Sequence, residues 1–504
     1  MCRYDRLAWS EAISRFYYRP AVMSTREVYK SNIRPIFLLF YYPFHLQKKS
    51  TRKIIHISIM SSREYETNRI LNQTIVFGEQ FYYIILWKTK RKLDKLNILL
   101  VNTMYHLRGG GAPIYGIKLA ELLKNRGHNP IPFSMKSPYN LESPYEKYFV
   151  DFIDFRRELS QKNFRNGIKV LGRTFYFKQA RKNIEKLLDE HNIDIVHLNN
   201  FLHHISLSII EPIRRRNIPI VWSLHDHILV CPNTNLYNDN TQSPCADCTS
   251  NFKRFILPVF RRCKKSSFGA SLLASLEAMF ISLHHPSKIP KVFISPSEFL
   301  KEQHRRMGFD VSNFKIVPNF VEVDEFEPHY EPGDYALYFG RLSPEKGLDY
   351  LIEASAMAKI PLVIAGTGPD ENKLKKLAEK LSADVKFVGF VQGDSLKQTI
   401  YNSRIVVLPS ICYENAPLMV LESFAAGKPV VATNIGGIPE LVGDDVGFLV
   451  EPGNSENLAD AISNIWNDKN KIIDLGRRAR ILVMQKYFPE KHIETIMSIY
   501  DSIV

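Results

Sequence analysis

Apolar runs and amphipathic segments alternate from Leu96 to the end of the chain. The clearest unit lies between Arg404 and Val442. Ile405 to Leu408 is a short apolar run stopped by Pro409, the pattern of a strand buried on both faces. A polar loop, Ser410 to Ala416, leads into an amphipathic segment, Pro417 to Ala426. Pro417 suits the first helical turn and Gly427 the position just past the end. Val430 to Ala432 is a second buried strand. The order strand, loop, helix, strand predicts a parallel α/β unit, with the loop and helix start at the carboxyl end of the first strand, where open α/β sheets bind ligands.

The same alternation predicts strands at Leu96–Asn102, Asn129–Ser134, Ile193–Asn199, Pro219–Leu224 and Lys291–Ser295, and, later, at Tyr335–Gly340, Pro361–Gly366 and Lys386–Gly389, while Ile316–Pro318 with Asn319 begins a linker. Helices are expected at Pro113–Asn125, Phe175–Glu190, up to Ile213, at Ser266–Leu283, Glu298–Met307, Asn454–Trp466, Lys471–Gln485 and Glu490–Ile503. Ser297 caps the helix beginning at Glu298. The acidic stretch Val321–Asp334, with Pro328 and Pro332, reads as a domain linker. The expected division is therefore a first domain over 96–325, a second over 326–487, and a last helix over 488–504 that crosses back to the first.

A length of 504 residues fits two or more domains, and 45% hydrophobic with 24% charged residues is ordinary for a globular protein. The net charge of +15 is unevenly spread. Residues 1–95 hold 18 Lys and Arg against 7 Asp and Glu, which leaves 49 against 45 for the rest, so bulk charge gives no case for a nucleic-acid partner. Residues 1–95 lack sustained periodicity. They read either as a poorly ordered basic, aromatic extension or as a stretch upstream of the true start. The second is favoured because the first strand of the fold begins at once after them. No run reaches the roughly 18 apolar residues of a membrane span. Ser266–Leu283 reads as an amphipathic helix, buried or lying on a membrane surface.

Candidate chemistry gathers at carboxyl strand ends. Gly109, Gly110 and Gly111 follow the first strand and precede a helix, a geometry that lets backbone N–H groups approach an anion, although a flexible turn explains three glycines equally well. His225 ends the strand Pro219–Leu224. Arg341 and Lys346 follow Tyr335–Gly340, one a rigid fork and the other a point charge, as a diphosphate clamp requires. Glu414 and Glu422 flank the helix start in the unit described above. Cys231, Cys245, Cys248 and Cys263 form one C-x-x-C between flanking cysteines, which can supply four thiolates to a structural zinc or stand as free buried thiols.

The stretch ENAPLMVLESFAAGKPVVATNIGGIPELV (414–442) resembles the carboxy-terminal domain of the retaining glycosyltransferases of family 4, with its E-x7-E. Arg341 and Lys346 are similar in type and spacing to that family's diphosphate ligands, and the glycine loop and His225 resemble its donor-side features. The resemblance implies an α/β fold of two Rossmann-like domains facing a cleft (GT-B). It further implies transfer of a sugar from a nucleoside diphosphate sugar to a hydroxyl with retention. On this reading Arg341, Lys346 and the segment Asn415, Ala416, Pro417 and Leu418 receive the diphosphate. Glu422 holds the ribose, Glu414 contacts the donor sugar, and His225 places sugar and acceptor. No cofactor or diphosphate-bound metal is expected. The implied acceptor is a glycan or lipid-linked glycan of the cell surface, and the implied location cytoplasmic with peripheral contact at the inner membrane face. A nucleotide-sugar binding protein without turnover, or a sugar-nucleotide epimerase on the same fold, are the alternatives from other classes.

Overall fold

The computed structural model describes residues 95–504, apart from 108–109, 156–157 and 159–163. Before residue 95 it describes the backbone of four strands, Leu38–Phe40, His56–Ser58, Ile70–Phe77 and Gln80–Trp87, paired in one sheet. Otherwise the expectations for 1–95 lie outside the described residues.

Two six-stranded sheets carry the rest, and every pairing within them is parallel. The first contains β1 (Asn97–Val101), β2 (Asn129–Phe133), β3 (Ile195–Leu198), β4 (Ile220–Ser223), β5 (Val292–Ser295) and β6 (Phe314–Ile316), in the order β2-β1-β3-β4-β5-β6. The second contains β7 (Tyr335–Phe339), β8 (Leu362–Ala365), β9 (Val385–Gly389), β10 (Ser403–Leu408), β11 (Val430–Thr433) and β12 (Gly447–Val450), in the order β9-β8-β7-β10-β11-β12. Both orders reverse direction once, which opens a crevice at the carboxyl ends where the reversal occurs. The central strands read as unbroken apolar runs because helices cover both faces. Ile405, Val406 and Val407 are fully buried, as are Ile98 and Leu99.

The helices that matter for the site are α1 (Gly111–Asn125), α2 (Phe164–Phe175), α3 (Lys178–Glu190), α4 (Asn251–Arg261), α5 (Phe268–Leu283), α6 (Glu298–Arg306), α7 (Leu418–Ala425) and α8 (Pro489–Asp501). Three differ from expectation. The helix expected over Phe175–Glu190 is α3, which starts only at Lys178 because Phe177 is extended and donates its N–H to Ser206 Oγ at 3.0 Å, and α2 before it was not expected. The helix α4 was not expected, since the stretch between Cys248 and Cys263 was read only as part of a cysteine-bearing loop. Ser297 does cap α6, its Oγ accepting from Leu300 N at 3.2 Å. No described helix is long and apolar enough to cross a membrane.

The last helix packs on the first domain. From α8, Tyr500 hydrogen-bonds His197 Nδ1 at 2.6 Å, and His492 Nε2 meets the Tyr115 hydroxyl at 3.1 Å while its Nδ1 meets Pro318 O at 2.8 Å. His197 and Tyr500 are fully buried, and Ser223 Oγ occupies the other ring nitrogen at 2.7 Å. Tyr500→Phe leaves His197 Nδ1 buried without a partner. It should lower unfolding stability by about 1–3 kcal/mol, read as a lower urea midpoint for the full chain at pH 7.

Candidate active site

Neighbouring strands place the charged residues. Because β7 and β10 pair directly, the turns that leave their carboxyl ends lie side by side. The turn Pro344–Lys346 after β7 presents Lys346, and the loop after β10 presents Glu414. Lys346 Nζ donates to Glu414 Oε1, which also accepts from Ser410 Oγ at 2.7 Å. Burial raises the Glu414 carboxyl, but the Lys346 charge and these hydrogen bonds outweigh it and hold the group below the usual carboxylate range. Burial likewise lowers the Lys346 ammonium, and Glu414 more than reverses this. Both are charged at neutral pH.

Glycines let the backbones close around this pair. Gly347 has φ +66°, and a Cβ there would sit 2.2 Å from Pro409 O. The turn Gly436–Gly437 packs on the loop itself: a Cβ on Gly437 would lie 2.0 Å from Asn415 O, and its N–H donates to Glu414 O at 2.6 Å. The G-x-G after β8 has the same kind of role. A Cβ on Gly368 would meet Leu342 O at 2.0 Å, so this pair supports the Arg341 turn by close backbone approach. Arg341 itself is exposed, and its side chain has no ion pair or hydrogen bond among the described residues.

Pro417 is the N-cap of α7, one residue outside the helix where the first turn was expected, and the helix begins at Leu418 with no side-chain cap. Its first N–H groups are therefore open to an anion. Across the cleft, Gly110 is the N-cap of α1 and Gly111 its first residue, so the expected loop glycines begin the helix instead. A Cβ on Gly111 would lie 3.5 Å from Leu418 Cδ1, while nothing stands within 4 Å of one on Gly110. The glycine turn thus faces the start of α7 at short range. Asn319 Nδ2 donates to Ala416 O at 2.9 Å and fixes the loop from the linker.

His225 follows β4 and is half-buried, with Nε2 3.2 Å from Asn199 Oδ1 and its ring 4.9 Å from that of Tyr115. Burial, then the neighbouring His492, depresses its imidazole to about 4, so it is neutral at physiological pH. Its carbonyl accepts from Asn415 Nδ2 at 2.9 Å, which ties the two domains at the cleft. Glu422, on α7, is half-buried, and burial pushes its carboxyl up to about 7, with Lys118 of α1 opposing and Glu325 adding to the rise.

Two further features were not recognised in the sequence. Glu440 appeared there only as the end of a turn, yet its carboxylate accepts from Glu298 N at 2.9 Å and Phe299 N at 2.6 Å, capping α6 of the other domain. A Glu after G-G-I-P carries no local sign of so distant a partner. Tyr413 stacks on Phe299 with ring centroids 5.5 Å apart. Among the described residues no three Cys, His, Asp or Glu side chains are gathered as a metal site, although Cys231, Cys245 and Cys263 lie near enough to Cys248 to act on its thiol. Cys231 and Cys248 pack with Val230, Leu236 and Met307, and burial, with the neighbouring thiols, pushes Cys248 and Cys263 up to about 12. None of the four is in a disulfide.

Residues 109–325 match the model described as Glycosyltransferase Family 4, and residues 321–482 the one described as Glycosyl transferases group 1. The chain belongs to the family 4 glycosyltransferases. An uncharacterized glycosyltransferase of Methanocaldococcus jannaschii is 28% identical over 323 residues, 61% of this chain and 75% of the relative. The alpha-D-kanosaminyltransferase of Streptomyces kanamyceticus is 32% identical over 210 residues, 40% of this chain and 54% of that one. Anabaena HepE in complex with UDP and glucose superposes with a TM-score of 0.58 at 17% identity, covering 81% of this chain and 100% of that one. That likeness shows the shared GT-B fold. In this glycosyltransferase the second domain therefore carries the E-x7-E helix, and the first carries His225 and the glycine turn.

The raised Glu422 carboxyl has a measurable consequence. Between the free glutamate value of 4.5 and about 7 the folded protein binds a proton that the unfolded chain releases. The resulting stability is present below 4.5 and lost as pH rises through 7. The melting temperature of the donor-free wild type should fall relative to Glu422→Gln between pH 5 and pH 8, and parallel curves would remove the assignment.

Proposed function

We propose that this glycosyltransferase moves a hexosyl group from a nucleoside diphosphate sugar to a hydroxyl with retention at the anomeric carbon. The observation that carries the reading is the Lys346–Glu414 pair beside the uncapped start of α7, opposite a neutral His225. The bond from the anomeric carbon to the diphosphate oxygen breaks and the bond to the acceptor oxygen forms. The acceptor proton passes to the departing phosphate. Charge grows on the leaving diphosphate, and Lys346, Arg341 and the first N–H groups of α7 would stabilise it there. Glu422 accepts from the ribose hydroxyls. Glu414, held ionised, accepts from hydroxyls of the sugar. His225 presents an uncharged imidazole to sugar and acceptor, with its orientation set by Asn199 and Tyr115.

Retention is supported by the family resemblance and by the alpha linkage in the name of the kanosaminyl relative. A cell-surface glycan or glycolipid is the acceptor class we favour.

The test is a panel of UDP-, GDP- and ADP-hexoses with simple glycoside acceptors, the product configuration being read from the anomeric proton coupling by NMR. An α donor should give an α product. An inverted product, or donor binding with no turnover on any acceptor, would overturn the reading. Lys346→Ala should lower kcat by about 10²–10³, as removal of a preorganised oxyanion donor does, with Arg341→Ala acting in the same direction.

A further inference from the structure

Helix α5 is turned inside out. The side facing the protein carries Ser271, Ala274, Ser275, Glu277, Ala278 and Ile281. The side facing solvent carries Phe268, Leu272, Leu276, Met279 and Leu283, spaced by four, four, three and four residues, one continuous stripe of an α-helix. Phe268 is 57% and Leu283 68% exposed. The neighbouring α4, which packs along α5, adds Phe252 at 73% and Phe260 at 80%, eight residues apart and so on one face. The buried Glu277 carboxylate pairs with His203 Nδ1 at 2.6 Å, which fixes the rotation of α5 about its axis. Turning the leucines inward would break that pair.

Charge around the stripe is predominantly basic, although Arg261 pairs with Asp247 and Arg215 with Glu211, which also lines the groove at the far end. Residues 251–276 hold six basic side chains and no acidic one. Arg254 is buried on the carbonyls of Leu229 and Met307, and Lys253, Arg261, Arg262 and Lys265 are exposed. At the far end of α5 a groove of about 420 Å³ is lined by Phe280 and His284 together with Arg214 and Arg215. Arg214 is exposed and has no ion pair among the described residues. An apolar stripe with cations at both ends is complementary to a bilayer of anionic lipid. The aromatic and aliphatic side chains enter below the head groups, while lysines and arginines reach back to the phosphates.

We propose that the α4–α5 hairpin docks this protein on an anionic membrane surface. The surface stands independently of the transfer reaction. That the docked enzyme meets a lipid-borne acceptor rests on the proposed function, since the hairpin belongs to the domain that carries His225.

The test is flotation of the full chain with phosphatidylcholine vesicles, with and without phosphatidylglycerol. The protein should float with the anionic vesicles, about tenfold less with the neutral ones, and less again as salt is added. Phe260→Ser with Leu276→Ser should lower partition about tenfold or more, and so should Lys253→Glu with Arg262→Glu. Phe260→Leu should retain it. Melting temperature and donor binding should be unchanged in all three, and Phe252→Ser alone serves if the double substitution fails to fold. Absence of flotation on both vesicles overturns the proposal, as does flotation that the substitutions leave unchanged. So does a wild-type dimer in sedimentation velocity that the serine substitutions dissolve without any vesicle binding, because a second copy would then cover the face.

Discussion

Two opposite charges, Lys346 and Glu414, share the carboxyl ends of adjacent strands, with side chains only 24% and 14% exposed. Neither is stable there alone, because an unpaired charge in low dielectric costs several kcal/mol, about 3–5 when one partner of a buried pair is removed. The pair therefore requires the two turns to stay within contact. That demand explains the glycines: Gly347 lets one turn close on Pro409, and Gly436–Gly437 let a third segment lie on the backbone of Glu414 and Asn415. Ser410 satisfies the same carboxylate oxygen, and Thr433 Oγ1 holds Ser410 O at 2.6 Å from β11. Three strand ends are locked around one ion pair.

The loop so fixed reaches the other domain. Asn415 holds the carbonyl of His225, Glu440 caps α6, and Tyr413 stacks on Phe299. Each contact comes from the segment Tyr413–Glu440, so the residues that shape the surroundings of the Lys346–Glu414 pair also set its distance from His225. The return of α8 adds a second tie behind the cleft, through Tyr115, which touches both His492 and His225. A helix that is last in sequence thus supports the imidazole at the centre.

Legibility in the sequence follows how local the cause is. The central strands of both sheets could be read because each is an unbroken apolar run, whereas the edge strands β6 and β12 could not. Lys346, Glu414 and Glu422 could be read because they sit at fixed offsets from strand ends within single units. Glu440 could not be read, since its partners lie more than 140 residues away. Nor could α4, in a stretch read only as part of a cysteine-bearing loop. The spacing of the cysteines allowed a metal site or free buried thiols, and Cys231 and Cys248 pack among apolar side chains. For Ser266–Leu283 the periodicity gave the helix but not its rotation. That is set by Glu277 finding His203, a contact far outside the helix.

The paired state of Lys346 also bears on how binding energy would be used. A free lysine attracts a ground-state diphosphate and its departing form alike, and such uniform binding does not raise kcat. A lysine already neutralised by Glu414 offers less to the incoming donor. In the proposed reaction, as the glycosidic bond breaks and charge accumulates on the diphosphate oxygen, the balance between carboxylate and phosphate for the same ammonium would shift toward phosphate. The gain is then concentrated in the transition state. Because Glu414 is anchored by Ser410 and by the backbone contact with Gly437, the carboxylate need not move for this shift to occur. The rigid loop that makes the pair possible is the same feature that would let it discriminate between bound donor and reacting donor.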